Sequence, residues 1–220
     1  EAMGGEAMGG EAMGGEAMGG EAMGGAAMGG AAMGGEAMGG EVPPNCMTPT
    51  VGQLVINEVL ANPEGNESSD RSEWIEVVNV SDQFVEMGTV SLWKSGQEEI
   101  AFAQGCMAPN SVLVLFNQAE VSAWQWSSPP TGVLATESTG SFGITNTTDI
   151  VLEIKNEAEV LNTFSASSML IQSGISINRS PDGSPDGSLV LHNTLNEMMS
   201  TFSNGLCANG ARFEASCMIE

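Results

Sequence analysis

The chain carries a single histidine, His192, beside 28 acidic side chains, so hydrolytic chemistry would have to be built on that imidazole or on paired carboxylates. A serine nucleophile calls for a strained turn, and no Gly-x-Ser-x-Gly elbow surrounds any serine here. His192 therefore reads as a core or solvent-facing residue. Glu73 and Glu76 stand three apart, so on a strand they project to opposite faces and cannot act as an acid/base pair. Glu58 and Glu76 can face each other across neighbouring strands, but an exposed polar face explains them as well. No glycine loop ending in Lys-Ser or Lys-Thr is present to cradle a phosphate. These absences point to a protein that is not an enzyme.

Binding chemistry has more to work with. Carboxylate and amide oxygens gather in residues 62–70 and 182–186, where Asp70, Asp182 and Asp186 are candidate calcium ligands, although neither stretch follows an EF-hand loop and Pro-Asp-Gly makes a good turn without metal. No other cofactor is suggested. Trp124 and Trp126 share a face if the chain is extended, the geometry of a platform for stacking a sugar or peptide; core packing competes as an explanation. Arg179, a lone base among turn acids, is expected to pair with Asp182 or another carboxylate.

The four cysteines, Cys46, Cys106, Cys207 and Cys217, contain no Cys-x-x-Cys pair and have one histidine for company, which argues against zinc and for disulfides in an extracellular protein. Of three possible pairings, Cys46–Cys106 with Cys207–Cys217 is favoured: the first clamps the chain as it enters the folded part, the second closes a short C-terminal loop. Chain-entropy estimates put their stabilisation at about 4 and about 3 kcal/mol.

Net charge is −23. Residues 1–41 hold seven Glu and no base, while residues 42–220 hold 21 acids against five scattered bases, Arg71, Lys94, Lys155, Arg179 and Arg212. Such a surface repels phosphate backbones and excludes nucleic acid as an expected partner. No apolar run reaches the roughly 18 residues of a membrane span. The start at Glu1, with no signal segment, reads as a mature form or a fragment.

Residues 1–40 are eight copies of a pentapeptide, EAMGG, with Ala26 and Ala31 replacing Glu in two. A period of five matches neither helix nor strand, and two glycines per copy cost about 2 kcal/mol of helix propensity. The expectation for residues 1–41 is a disordered acidic spacer, spanning roughly 35 Å by glycine-rich linker statistics. Residues 42–53, with Pro43, Pro44 and Pro49, form a stiffer linker.

From Leu54 the pattern changes. Leu54, Ile56 and Glu58 alternate with Val55, Asn57 and Val59, a polar loop follows, and Trp74, Val77 and Val78 crowd a second run that ends at Asn79. Further strand candidates are Phe84-Val85, Val90 to Trp93, Ile100 to Phe102, Val112 to Phe116, a hairpin from Ile150 to Phe164, and Ile175 to Ile177. Gly, Pro and Asn punctuate them, most heavily in the tandem turn Ser180 to Gly187. Many short strands and no long amphipathic helix give an all-β fold, a two-sheet antiparallel sandwich over residues 54–210, with residues 211–220 as a C-terminal tail.

Ile56-Asn57-Glu58-Val59, Asn62-Pro63, and Glu73-Trp74-Ile75-Glu76-Val77-Val78-Asn79 resemble the opening of the lamin tail domain as it occurs in bacterial secreted proteins. Val85 to Gly88, Cys106 to Pro109, Gly143 to Asn146 with Thr148 to Leu152, and Ser176 to Gly183 follow in the family's order. Met87-Gly88 lacks the family's serine, and Ser203-Asn204-Gly205 stands where Ser-Pro-Gly is usual. The resemblance implies an immunoglobulin-like sandwich and a non-catalytic extracellular or cell-surface module that binds a protein or glycan. The repeat tract resembles stalks of bacterial surface lipoproteins, which implies a bacterial outer surface and a lipid anchor upstream. The alternative is an accessory or spacer domain of a larger secreted hydrolase or surface protein.

Overall fold

The β-branched runs become the long strands of two facing sheets. The computed structural model describes residues 45–65, 73–117, 133–137, 142–195, 200–213 and 217. In chain order the strands are β1 (Leu54–Leu60), β2 (Trp74–Asn79), β3 (Val85–Glu86), β4 (Val90–Lys94), β5 (Gln97–Ala101), β6 (Cys106–Met107), β7 (Val112–Phe116), β8 (Val133–Glu137), β9 (Ile150–Asn156), β10 (Glu159–Ala166), β11 (Ile177–Ser180) and β12 (Ser188–Leu191). One sheet has the order β12-β11-β1-β2-β7-β8, the other β10-β9-β4-β5, and β3 with β6 forms a small third ladder. Helical structure among the described residues is limited to 3₁₀ turns such as Ser168–Leu170 and His192–Thr194. The fold is an immunoglobulin-like β-sandwich.

Among the described strands every pairing but one is antiparallel, and an isolated parallel bridge joins Met47 to Val85. β8 runs parallel to β7 at the edge of the six-stranded sheet, Val112 opposite Val133, and the sandwich is otherwise antiparallel, as expected. A parallel neighbour requires a crossover, and residues 117–132 provide the length for one.

Between the sheets lies the main core: Leu54, Ile56, Val59, Ile75, Val77, Leu113 and Leu115 meet Val90, Leu92, Ile150, Leu152, Ile154 and Phe164. Burying Phe164 alone contributes about 2 to 3 kcal/mol. β9 and β10 alternate buried and accessible positions, as a sheet with one wet face should.

β1, β2 and β7 do not alternate. Every residue in them is buried, because residues 200–213 cover the outer face of the six-stranded sheet. There Leu60, Trp74, Val78, Val112, Val114 and Phe116 pack against Cys207, Phe213 and Cys217 in a second apolar cluster. Trp74 and Phe202 meet edge to face, with ring centroids 6.2 Å apart. Phe213 and Cys217, left in a tail by the sequence reading, are thus core residues.

Candidate functional site

A β-bulge between Ile56 and Glu58 is the local feature that builds the site. Simple alternation places Glu58 on the face of Leu54 and Ile56. The extra residue, Asn57, shifts the phase instead, so Val59 joins the main core and Glu58 turns to the outer face, opposite Glu76. The exposed polar face expected for Glu58 and Glu76 is therefore a buried one: Asn57, Glu58, Glu76, Asn178, Ser176 and His192 are all inaccessible to solvent.

Each carboxylate in this layer holds backbone of the C-terminal segment. Glu58 Oε1 accepts from the Ser203 amide at 3.0 Å and the Ser176 hydroxyl at 2.5 Å, and its Oε2 accepts from the Ser203 hydroxyl at 2.8 Å. Glu76 Oε2 accepts from the Gly205 amide at 2.6 Å, and its Oε1 from Asn57 Nδ2 at 2.9 Å. Asp182 Oδ2 accepts from the Ala208 amide at 2.8 Å. Asn57 ties the row together, donating also to Asp182 Oδ1 and accepting from the Gly183 amide at 2.7 Å. Gly183 sits at φ 68°, a left-handed position that a side chain would strain.

Burial pushes the Glu76 carboxyl well above the usual carboxylate range. The facing Glu58 adds to this and Asp182 contributes a little, while the Asn57 and Gly205 hydrogen bonds pull the other way without prevailing.

His192 lies at the edge of the same layer. Its Nδ1 is 3.2 Å from Glu58 Oε1, and its Nε2 is 3.2 Å from the Ser200 hydroxyl. Hydroxyl, imidazole and carboxylate in that order are the parts of an acyl-transfer relay. Here they act as a brace: the imidazole is fully buried, and both Glu58 oxygens are already engaged by Ser176 and Ser203. Two neighbouring clefts, of about 530 and 350 Å³, are lined by residues such as Asp182, Pro181 and Cys217, not by His192 or Ser200. Sequence reading missed this set because Ser200 and Glu58 carry no local signature.

Arg179 does not pair with Asp182. It lies on the opposite face of β11 from Asn178, where its Nε donates to the Ile56 carbonyl at 2.8 Å, its Nη2 to the Thr163 carbonyl and Asn162 Oδ1, and its Nη1 to the Gly187 carbonyl. Burial lowers its pKa, and the nearby Asp186 partly offsets that. Asp182 and Asp186 thus serve different partners, and Asp70, Trp124 and Trp126 lie outside the described residues. Among the described residues no group of three or more His, Cys, Asp or Glu side chains could hold a metal ion.

Glu73 clamps another segment. Its carboxylate accepts from the Ile144 amide at 2.9 Å and from Asn117 Nδ2 at 2.5 Å, on the face away from Glu76. Cys46 is bonded to Cys106, which fastens the entering chain to β6, and Cys207 to Cys217, which closes the loop over the second cluster. No described helix is long and apolar enough to cross a membrane.

The described residues form an immunoglobulin-like sandwich whose outer face carries a buried polar layer beneath a disulfide-closed C-terminal segment. Residues 48–178, more than half of the chain, match the Lamin Tail Domain model, and the chain belongs to that family. No curated protein is similar enough to count as a match.

Proposed function

We propose that this lamin tail domain is a non-catalytic module of an extracellular or cell-surface protein, carried on an acidic glycine-rich tract and binding a protein or glycan partner. The observation that carries this reading is the use of Glu58, Glu76, Asp182, His192 and Ser203 as internal braces, which leaves folding, not turnover, as their work. The two disulfides support an oxidising compartment outside the cell. Loops and open faces are the parts of such sandwiches that meet partners, and Trp124-Gln125-Trp126 offers two rings at the spacing of a stacking platform.

The test is binding of the full chain, under non-reducing conditions, to a glycan array and to immobilised surface polysaccharide, with Trp124→Ala/Trp126→Ala beside it. The expected result is selective retention on one polysaccharide class that the double variant loses. Hydrolysis of an activated ester that Ser200→Ala abolishes would replace this reading with an enzymatic one.

A further inference from the structure

Three carboxylates in a row each hold an amide of one segment, at Ser203, Gly205 and Ala208; Glu58 and Glu76 are buried between that segment and the sheet, and Asp182 is half-buried at the end of the row. Charge does not balance there. Glu58 faces Glu76 from β1, and Asp182 approaches from the turn after β11 through Asn57. The 3₁₀ turn at His192–Thr194 contributes His192, whose Nδ1 is 3.2 Å from Glu58 Oε1. β7 presents only Val114 opposite Glu76, and the covering segment presents amides and the Ser203 hydroxyl. The described bases are elsewhere: Lys94 and Lys155 belong to the other sheet, Arg179 points to the opposite face, and Arg212 is exposed.

We propose that residues 200–208 form a pH-dependent latch over the six-stranded sheet, closed while Glu76 holds a proton and released when it ionises against Glu58. A second charge in this layer faces the first with no interposed cation and little water, so relief comes from lifting the covering segment to admit solvent. Among the described residues the same layer has a buried acceptor with no donor within hydrogen-bond reach, Asn178 Oδ1, on the residue opposite Glu58. Burial and the like charge raise the Glu76 pKa well above normal, which moves release to higher pH than an ordinary carboxylate would set. The Cys207–Cys217 bond keeps the far end of the segment attached, so opening is local and reversible. Lifting it uncovers Trp74, Val78 and Phe202.

Hydrogen exchange of the full chain by mass spectrometry at pH 5 and pH 8, normalised for the chemical exchange rate, reads the latch directly. Peptides covering 200–208 should lose protection with rising pH, by up to about tenfold per pH unit through the transition, and should end well below β2 and β7, whose protection falls only as far as global stability does. Glu76→Gln should flatten that response, and Glu58→Gln should shrink it. Equal protection of 200–208 at both pH values in the unmodified chain would overturn the proposal. So would 200–208 protection equal to that of β2 and β7 at every pH, which means opening only by global unfolding, or an unaltered pH response in a folded Glu76→Gln protein.

Discussion

Arg179 and Ile56 are joined by a 2.8 Å hydrogen bond from the guanidinium Nε to the carbonyl that immediately precedes the β1 bulge. A bulge interrupts a ladder, and the arginine satisfies the carbonyl there. The same guanidinium reaches β10 through the Thr163 carbonyl and Asn162, so one side chain links the two sheets. Arg179→Ala should destabilise the domain by about 3 to 5 kcal/mol, since several buried acceptors lose their donor together. Arg179→Lys should recover little of this, because an ammonium cannot span the fork. Urea unfolding of the variants measures both.

The two disulfides should differ in worth. Cys46–Cys106 closes a separation of 60 residues and Cys207–Cys217 one of 10. On chain entropy the expected losses are about 4 kcal/mol for the Cys46→Ala/Cys106→Ala pair and about 3 kcal/mol for the Cys207→Ala/Cys217→Ala pair. The shorter bridge should matter more than its loop length implies, because both its cysteines pack in the second cluster. Melting temperatures of the two double variants give the order.

Strand identity was legible where side chains carry it. Leu54–Leu60, Trp74–Asn79, Val112–Phe116 and the Ile150–Ala166 hairpin are rich in β-branched and aromatic residues, and each forms a strand. β6 and β12 are short, and neighbouring chain defines them more than their own composition does. The site was legible only in part. Alternation assumes an unbroken ladder, and the bulge at Asn57 breaks it, which is why Glu58 faces the opposite way from its sequence pattern. Burial of Glu58 and Glu76 depends on a covering segment 129 residues beyond Glu76 at Gly205, and no local pattern records a contact of that range. Arg179 likewise finds carbonyls, and backbone acceptors leave no trace in composition.

The β9–β10 hairpin turns through Glu157, whose φ of 52° is in the left-handed region. A side chain there is strained, by roughly 1 to 2 kcal/mol. The sequence reading places the turn across Lys155 to Ala158; the strands extend further, and only Glu157 and Ala158 remain between them. Glu157→Gly should therefore stabilise the domain by about 1 kcal/mol, part of the relief being offset by the freer unfolded chain. Thermal unfolding at one fixed pH checks it.

The pH dependence of global stability follows from Glu76. Its folded pKa lies well above the ordinary 4.5, so between that value and the folded one the native state holds a proton that the unfolded chain has released. The associated stability is fully present below pH 4.5 and is lost as pH rises through the folded pKa, the reverse of the usual salt-bridged carboxylate. A chain with net charge −23 also repels itself more strongly as pH rises, so the slope of the unmodified protein alone is ambiguous. The difference between it and Glu76→Gln isolates the group, because the two share every other charge. Urea midpoints measured from pH 4 to pH 9 should converge at the acid end and separate as pH increases, with the glutamine variant the more stable. A gap that stays constant over the whole range would mean that Glu76 titrates alike in the folded and the unfolded chain.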